Sequence, residues 1–121
     1  MKTKTLTKAD LAQFTGTENW YRHGLNRNCL YTDGVRYIAD KGEAYWLIDE
    51  VALSQMLGTI RYQEFQVWTL KVNLDESKGV LTCDDGNDKI LLSKPIHFTD
   101  FPMEEIRLYF VGNVILLPSE Y

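Results

Sequence analysis

The sequence predicts one α+β domain over residues 1–121, with N-terminal helices packed on one face of an antiparallel sheet of about five strands. Three observations predict it. Up to about residue 57, apolar residues recur at three- and four-residue spacing, whereas from Phe65 onward they alternate. The Gly112-Asn113 dipeptide stands between two apolar runs, residues 106–111 and 114–117, and marks a two-residue hairpin turn. Helices followed by strands is the order of a chain whose helices cover one sheet face.

Each element has its own local reason. Thr7 precedes Lys8-Ala9-Asp10-Leu11-Ala12-Gln13-Phe14 as an N-cap, with Asp10 placed to reach back, and Gly16 ends this first short helix. Trp20-Tyr21-Arg22-His23 is short, aromatic and extended, and Cys29-Leu30-Tyr31 reads as a strand stub after the loop Asn26-Arg27-Asn28. Thr32-Asp33-Gly34 caps a helix over residues 35–41, with Val35, Ile38 and Ala39 on one face and Gly42 at its end. A further helix over residues 43–57 places Ala44, Leu47, Ile48 and Val51 at core spacing and closes at Gly58; the alternative has residues 45–48 extended and the helix starting at Asp49.

Beyond Phe65, Trp68, Leu70 and Val72 alternate with Val67, Thr69 and Lys71. Residues 80–83 form a second run, and residues 90–92 with Ile96 and Phe98 a third. Hairpin loops at residues 75–79 and 84–88 separate them, and residues 100–105 make one helical turn before the last hairpin. In that hairpin Val111 faces Val114, Phe110 faces Ile115 and Leu108 faces Leu117, so the last two pairs share one buried face.

Composition bounds the function. Hydrophobic residues at 45% and charged residues at 25% are globular values, and a chain of this length buries about two-thirds of its unfolded surface without metal or disulfide support. No apolar run approaches the ~20 residues of a membrane span, and the first twenty residues are mostly polar, so a soluble, cytoplasmic protein is expected. In a reducing compartment Cys29 and Cys83 are expected as unpaired core residues. Net charge is −4 but uneven: residues 1–41 hold seven Lys or Arg against four Asp or Glu, and residues 42–121 hold six against thirteen. An acidic face of that kind favours basic partners.

Constellations that carry chemistry are few. Cys29, Cys83, His23 and His97 are a formal zinc set, but no two lie as close as the paired ligands of structural zinc sites, so no metal or cofactor is expected. Asp84-Asp85-Gly86-Asn87-Asp88 lacks the ligand order of a calcium loop and reads as turn chemistry. Cys29 with His23 or His97 is the minimal nucleophilic pair, and no nucleophile elbow, phosphate loop or zinc-protease motif accompanies it. The cluster that stands out is aromatic and basic. Trp20, Tyr21, Arg22 and Arg27, with His23, Tyr31, Arg36 and Tyr37 nearby, combine rings and guanidinium groups that suit a protein hot spot or single-stranded nucleic acid.

The expected function is therefore non-enzymatic protein binding or regulation, through either Trp20, Tyr21, Arg22 and Arg27, the preferred surface, or the acidic loop surface at Asp84, Asp85 and Asp88. Two other readings stand beside it. One is a small enzyme or ligand-binding domain with a pocket between helices and sheet, lined by Trp46 and Trp68. The other is single-stranded nucleic-acid binding through residues 1–41, which predicts steep salt dependence.

Five segments also carry a resemblance: Leu6-Thr7-Lys8-Ala9-Asp10-Leu11, Phe14-Thr15-Gly16-Thr17-Glu18-Asn19, Tyr31-Thr32-Asp33-Gly34-Val35, Tyr45-Trp46-Leu47-Ile48-Asp49 and Leu116-Leu117-Pro118-Ser119-Glu120-Tyr121. Through them the chain resembles, over nearly its whole length, a family of small uncharacterised bacterial proteins seen in cyanobacteria and on plasmids and phages. The resemblance carries no activity, cofactor or catalytic residue with it. It implies a genomic setting in which small acidic proteins bind and block host proteins, as anti-CRISPR proteins do.

Overall fold

The computed structural model describes residues 6–121. Among them the elements run α1 (Lys8–Ala12), β1 (Trp20–Arg22), β2 (Leu30–Thr32), α2 (Asp33–Lys41), α3 (Tyr45–Ser54), α4 (Gly58–Arg61), β3 (Phe65–Asn73), β4 (Lys78–Asp84), β5 (Ile90–Ile96), β6 (Glu105–Val111) and β7 (Val114–Leu116), closed by a 3-10 turn at Pro118–Glu120. The α+β class holds. The sheet, however, has seven strands in the order β1-β2-β7-β6-β3-β4-β5, and it is mixed. The five expected strands form an antiparallel block, and the two stubs extend it because β2 pairs in parallel with β7, Leu30 opposite Val114 and Tyr31 opposite Ile115. Nor do the helices precede the sheet, since β1 and β2 lie between α1 and α2 in the chain.

The capping signals operate as the residues require. The Thr7 hydroxyl accepts from the Asp10 amide at 3.2 Å while Asp10 accepts from the Thr7 amide at 2.9 Å, and Thr32 caps α2 by accepting from the Val35 amide at 3.4 Å. Residue Gly42 caps the far end of α2. Helix α3 starts at Tyr45, so residues 45–48 are helical rather than extended, and Gly58 begins α4 instead of ending α3.

Strand alternation sends Trp68, Leu70, Leu81, Cys83, Ile106, Leu108, Phe110 and Ile115 to one face, where they pack with Val35, Ile38, Leu47, Ile48, Val51 and Ile60 of the helices. The register of the last hairpin is as expected for Val111 with Val114 and Phe110 with Ile115. Its turn residues Gly112 and Asn113 have φ of 56° and 65°, the pair of left-handed conformations a type I′ turn requires. Residues 100–105 form no helical turn. Instead Phe101 drops into the core beside Gly42, and burying a ring of that size contributes ~1.5–3 kcal/mol, whereas an isolated helical turn is unfavourable to nucleate.

One buried polar group on this face is fully paired. Gln66 and Gln55 exchange two amide hydrogen bonds of 2.8 Å, Gln66 donates again to the Ile60 carbonyl at 2.9 Å, and the Trp68 indole donates to Gln66 at 2.9 Å. This network ties the end of α3 and the short α4 to β3. On the sheet's other face, Phe65, Tyr109 and Tyr121 form a trio of tilted and edge-on rings.

Candidate functional site

The site grows from the free end of the sheet. Among the described residues, strand β1 pairs only with β2, with Trp20 opposite Thr32, Tyr21 opposite Tyr31 and Arg22 opposite Leu30, and has no strand on its other side. The His23 amide donates to the Cys29 carbonyl at 2.9 Å. In an antiparallel ladder hydrogen-bonded pairs alternate with non-bonded ones, so Tyr21 turns its main-chain groups toward β2, and Trp20 and Arg22 turn theirs outward. Beside this edge the Trp20 side chain is 55% exposed.

The other side chains divide by strand alternation. Tyr21 lies on the helical face, stacked on Tyr31 with ring centroids 5.6 Å apart and beneath the Arg36 guanidinium, 4.5 Å from its centroid. Its hydroxyl donates to Asp33 at 2.9 Å. Asp33, at the N-terminus of α2, also accepts from the amides of Glu18 and Asn19 and from the Thr17 hydroxyl. These donors, the Tyr21 hydroxyl foremost, hold its carboxyl below the usual aspartate value of 3.8. Arg36 in turn sits 3.7 Å from Asp40, which accepts from the Tyr45 hydroxyl.

Next to this lies His23, buried, with its ring roles set by geometry. The amides of Leu25 and Asn26 both donate to Nδ1, at 3.2 and 2.9 Å, so in this arrangement the ring proton is on Nε2 and is donated to Asp49 at 2.7 Å. A recess of about 170 Å³ opens here between His23, Gly24, Leu25, Tyr31, Tyr45 and Asp49.

The structure thus brings Trp20, Tyr21, Arg22 and Arg27 to one end of the molecule, but not into one role. Tyr21 is engaged within the protein, and Arg22 donates to the Arg27 carbonyl, closing the loop between β1 and β2. Tyr21 is thus paired with the Arg36 cation and Arg22 with a main-chain carbonyl, whereas Trp20 stands exposed. Tyr37 packs on Phe14 at 5.1 Å and lines one cleft with Tyr21, Asp33, Arg36 and Asp40. Of the basic stretch at residues 1–41, residues 1–5 lie outside the described residues.

The acidic surface is at the opposite end. Asp84 and Asp85 accept from the amides of Gly86 and Asn87 at 2.8 Å, and Asp85 also from Lys89; Asp88 adopts a φ of 67°. That is turn chemistry, and four strands separate β4 from β1. Trp68 is 1% exposed with its indole bonded to Gln66, and neither it nor Trp46 lines any of four clefts that open on the described surface.

Both cysteines are free and buried, and burial pushes each thiol up to about 12, so neither is a thiolate at neutral pH. His23 turns neither ring nitrogen to Cys29, whose thiol points at the Leu30 carbonyl. Among the described residues no three His, Cys, Asp or Glu side chains are grouped to hold a metal ion, and no helix is long and apolar enough to cross a membrane.

Sequence reasoning missed Asp33 as an organiser, Tyr45, and the pairing of His23 with Asp49. Asp33 was legible only as a cap, because its partners at 17–21 meet it through the β1–β2 pairing. In comparisons with known proteins, a family model described as a family of unknown function, DUF6876, matches residues 5–121. No curated protein and no solved structure matches the chain.

Proposed function

The chain belongs to this family of unknown function, and we propose that it is a non-enzymatic, protein-binding regulatory domain whose partner joins the sheet at β1. One observation carries the reading: β1 is an unpaired edge whose outward main-chain groups, at Trp20 and Arg22, flank a half-exposed tryptophan. An extended segment of another protein adds to such an edge by main-chain hydrogen bonds, and an adjacent aromatic ring supplies the anchor. The opposite edge, β5, contains Pro95, which has no amide to donate. The two ends of the sheet are thus treated differently: β1 is a three-residue edge beside Trp20, and β5 a seven-residue edge interrupted by Pro95.

The resemblance of segments such as Tyr45-Trp46-Leu47-Ile48-Asp49 to small bacterial proteins of cyanobacteria, plasmids and phages supports a more specific role. The domain acts in the cytoplasm as a mobile-element inhibitor of a host protein, in the manner of an anti-CRISPR protein. Buried, unpaired Cys29 and Cys83 suit that compartment.

Affinity purification of tagged protein from bacterial lysate, with and without nuclease, tests this. The expected result is one nuclease-resistant protein near one-to-one, with affinity reduced ~10-fold or more, ~1.4 kcal/mol, by Trp20→Ala. Recovery of nuclease-sensitive material alone, or full affinity in both Trp20→Ala and the Arg22→Ala, Arg27→Ala double variant, overturns it.

A further inference from the structure

The recess beside His23 has a composition that the edge does not explain. It is lined by Tyr31, Tyr45, Ile48 and the buried His23, and its charge is the carboxylate of Asp49, 56% exposed. Because Leu25 and Asn26 occupy Nδ1 with amide protons, the imidazole meets Asp49 as a neutral hydrogen-bond donor. The charge on Asp49 is oriented by that bond but not cancelled, and among the described residues no lysine or arginine pairs with it.

Around Tyr21 the protein shows what such a combination holds. Tyr21 and Asp40 present a ring face and a carboxylate, and the cation between them is Arg36, 4.5 Å from the ring centroid and 3.7 Å from the carboxylate. Tyr31, Tyr45 and Asp49 supply rings and a carboxylate again; Arg36 acts on both rings from the neighbouring network, but among the described residues no cation is paired with Asp49. The Tyr31 phenol is pushed up, chiefly by its burial against the recess. Size narrows the ligand class. Small-molecule sites run to about 300–1,000 Å³, and 170 Å³ takes one side-chain head group.

We infer that the recess between Tyr31, Tyr45 and Asp49 receives a single cationic side chain, the ammonium or guanidinium group of a lysine or arginine on the partner. Ring faces attract the cation and Asp49 pairs with it, while His23 holds Asp49 in place. The inference rests on the reading of this domain as a protein binder, and it assigns that partner a basic residue close to the segment that meets β1.

The test uses N-acetyl-arginine methylamide and N-acetyl-lysine methylamide as probes, with N-acetyl-norleucine methylamide as the uncharged control, followed by amide NMR shifts of the full chain. Saturable shifts at Gly24, Leu25 and Asp49 are expected with the charged probes and not with the control. Asp49→Asn keeps an oxygen to accept from His23 and removes only the charge; it should weaken the charged probes at least ~10-fold, as should Tyr45→Leu, while Trp20→Ala leaves them unchanged. Equal shifts from norleucine, no saturation, or unchanged affinity in Asp49→Asn overturns the assignment. In partner capture, loss on Trp20→Ala with full retention on Asp49→Asn sinks this inference alone, whereas loss on Asp49→Asn supports it.

Discussion

At the scale of single residues, Asp33 organises the most. Four donors from residues 17–21 converge on its carboxylate, so the loop before β1 is wrapped around one side chain at the head of α2. With its folded value below the usual 3.8, the charged form is the one the fold prefers. Its stabilising effect is present above the unfolded value and is lost as pH falls through the folded one. Asp33→Asn should therefore be less stable than the parent protein at pH 7, and the gap should narrow in urea melts taken progressively below 3.8. A gap that stays constant with pH would show that the carboxylate's charge is irrelevant. Nothing in the chain announces this role, since an aspartate after a threonine reads equally well as a cap and the loop it collects lies fourteen to sixteen residues away.

Among the elements, the ones legible in advance were those whose signal is local. Thr7 and Asp10 close a reciprocal cap within four residues, and Gly112-Asn113 dictates the hairpin because left-handed conformations suit those two residues. Strand β2 was visible as an extended stub, but its place in the sheet depends on β7, which only the folded chain brings alongside. What fastens that junction is Glu120. Its carboxylate accepts from the Thr32 hydroxyl at 2.6 Å, the Leu117 amide at 2.9 Å and the Gly34 amide at 3.2 Å, placing a negative charge at the start of α2. Gly34 is glycine for this reason: a Cβ there would stand 2.6 Å from Leu117 and 2.7 Å from Glu120. Glu120→Ala should cost ~1–3 kcal/mol by denaturant unfolding, through the loss of hydrogen bonds to a charged acceptor. The clip matters little to the fold if the variant's midpoint does not move.

Over the whole molecule, the sheet is one continuous surface with two unlike ends, and the candidate site sits wholly at one of them while the acidic turn sits at the other. Uneven charge along the chain foretold two surfaces, but which residues share one is set by strand order, and β4–β5 folds away from β1. Pro95 keeps the acidic end from recruiting another strand, so Pro95→Val should permit edge-to-edge association, detected as a concentration-dependent rise in mass by light scattering; a strictly monomeric variant would deny Pro95 that role. The parallel seam between β2 and β7 carries a further consequence, for the order of assembly. Thr32 and Glu120 are 88 positions apart, so the β1–β2 pair has no sheet to join until nearly the whole domain has been synthesised. Pairings of that sequence separation form late because their loop-closure entropy must be overcome first. The β1–β2 pair therefore joins the rest of the sheet late, and a nascent or truncated chain carries Trp20 and Tyr31 on two strands with no sheet behind them.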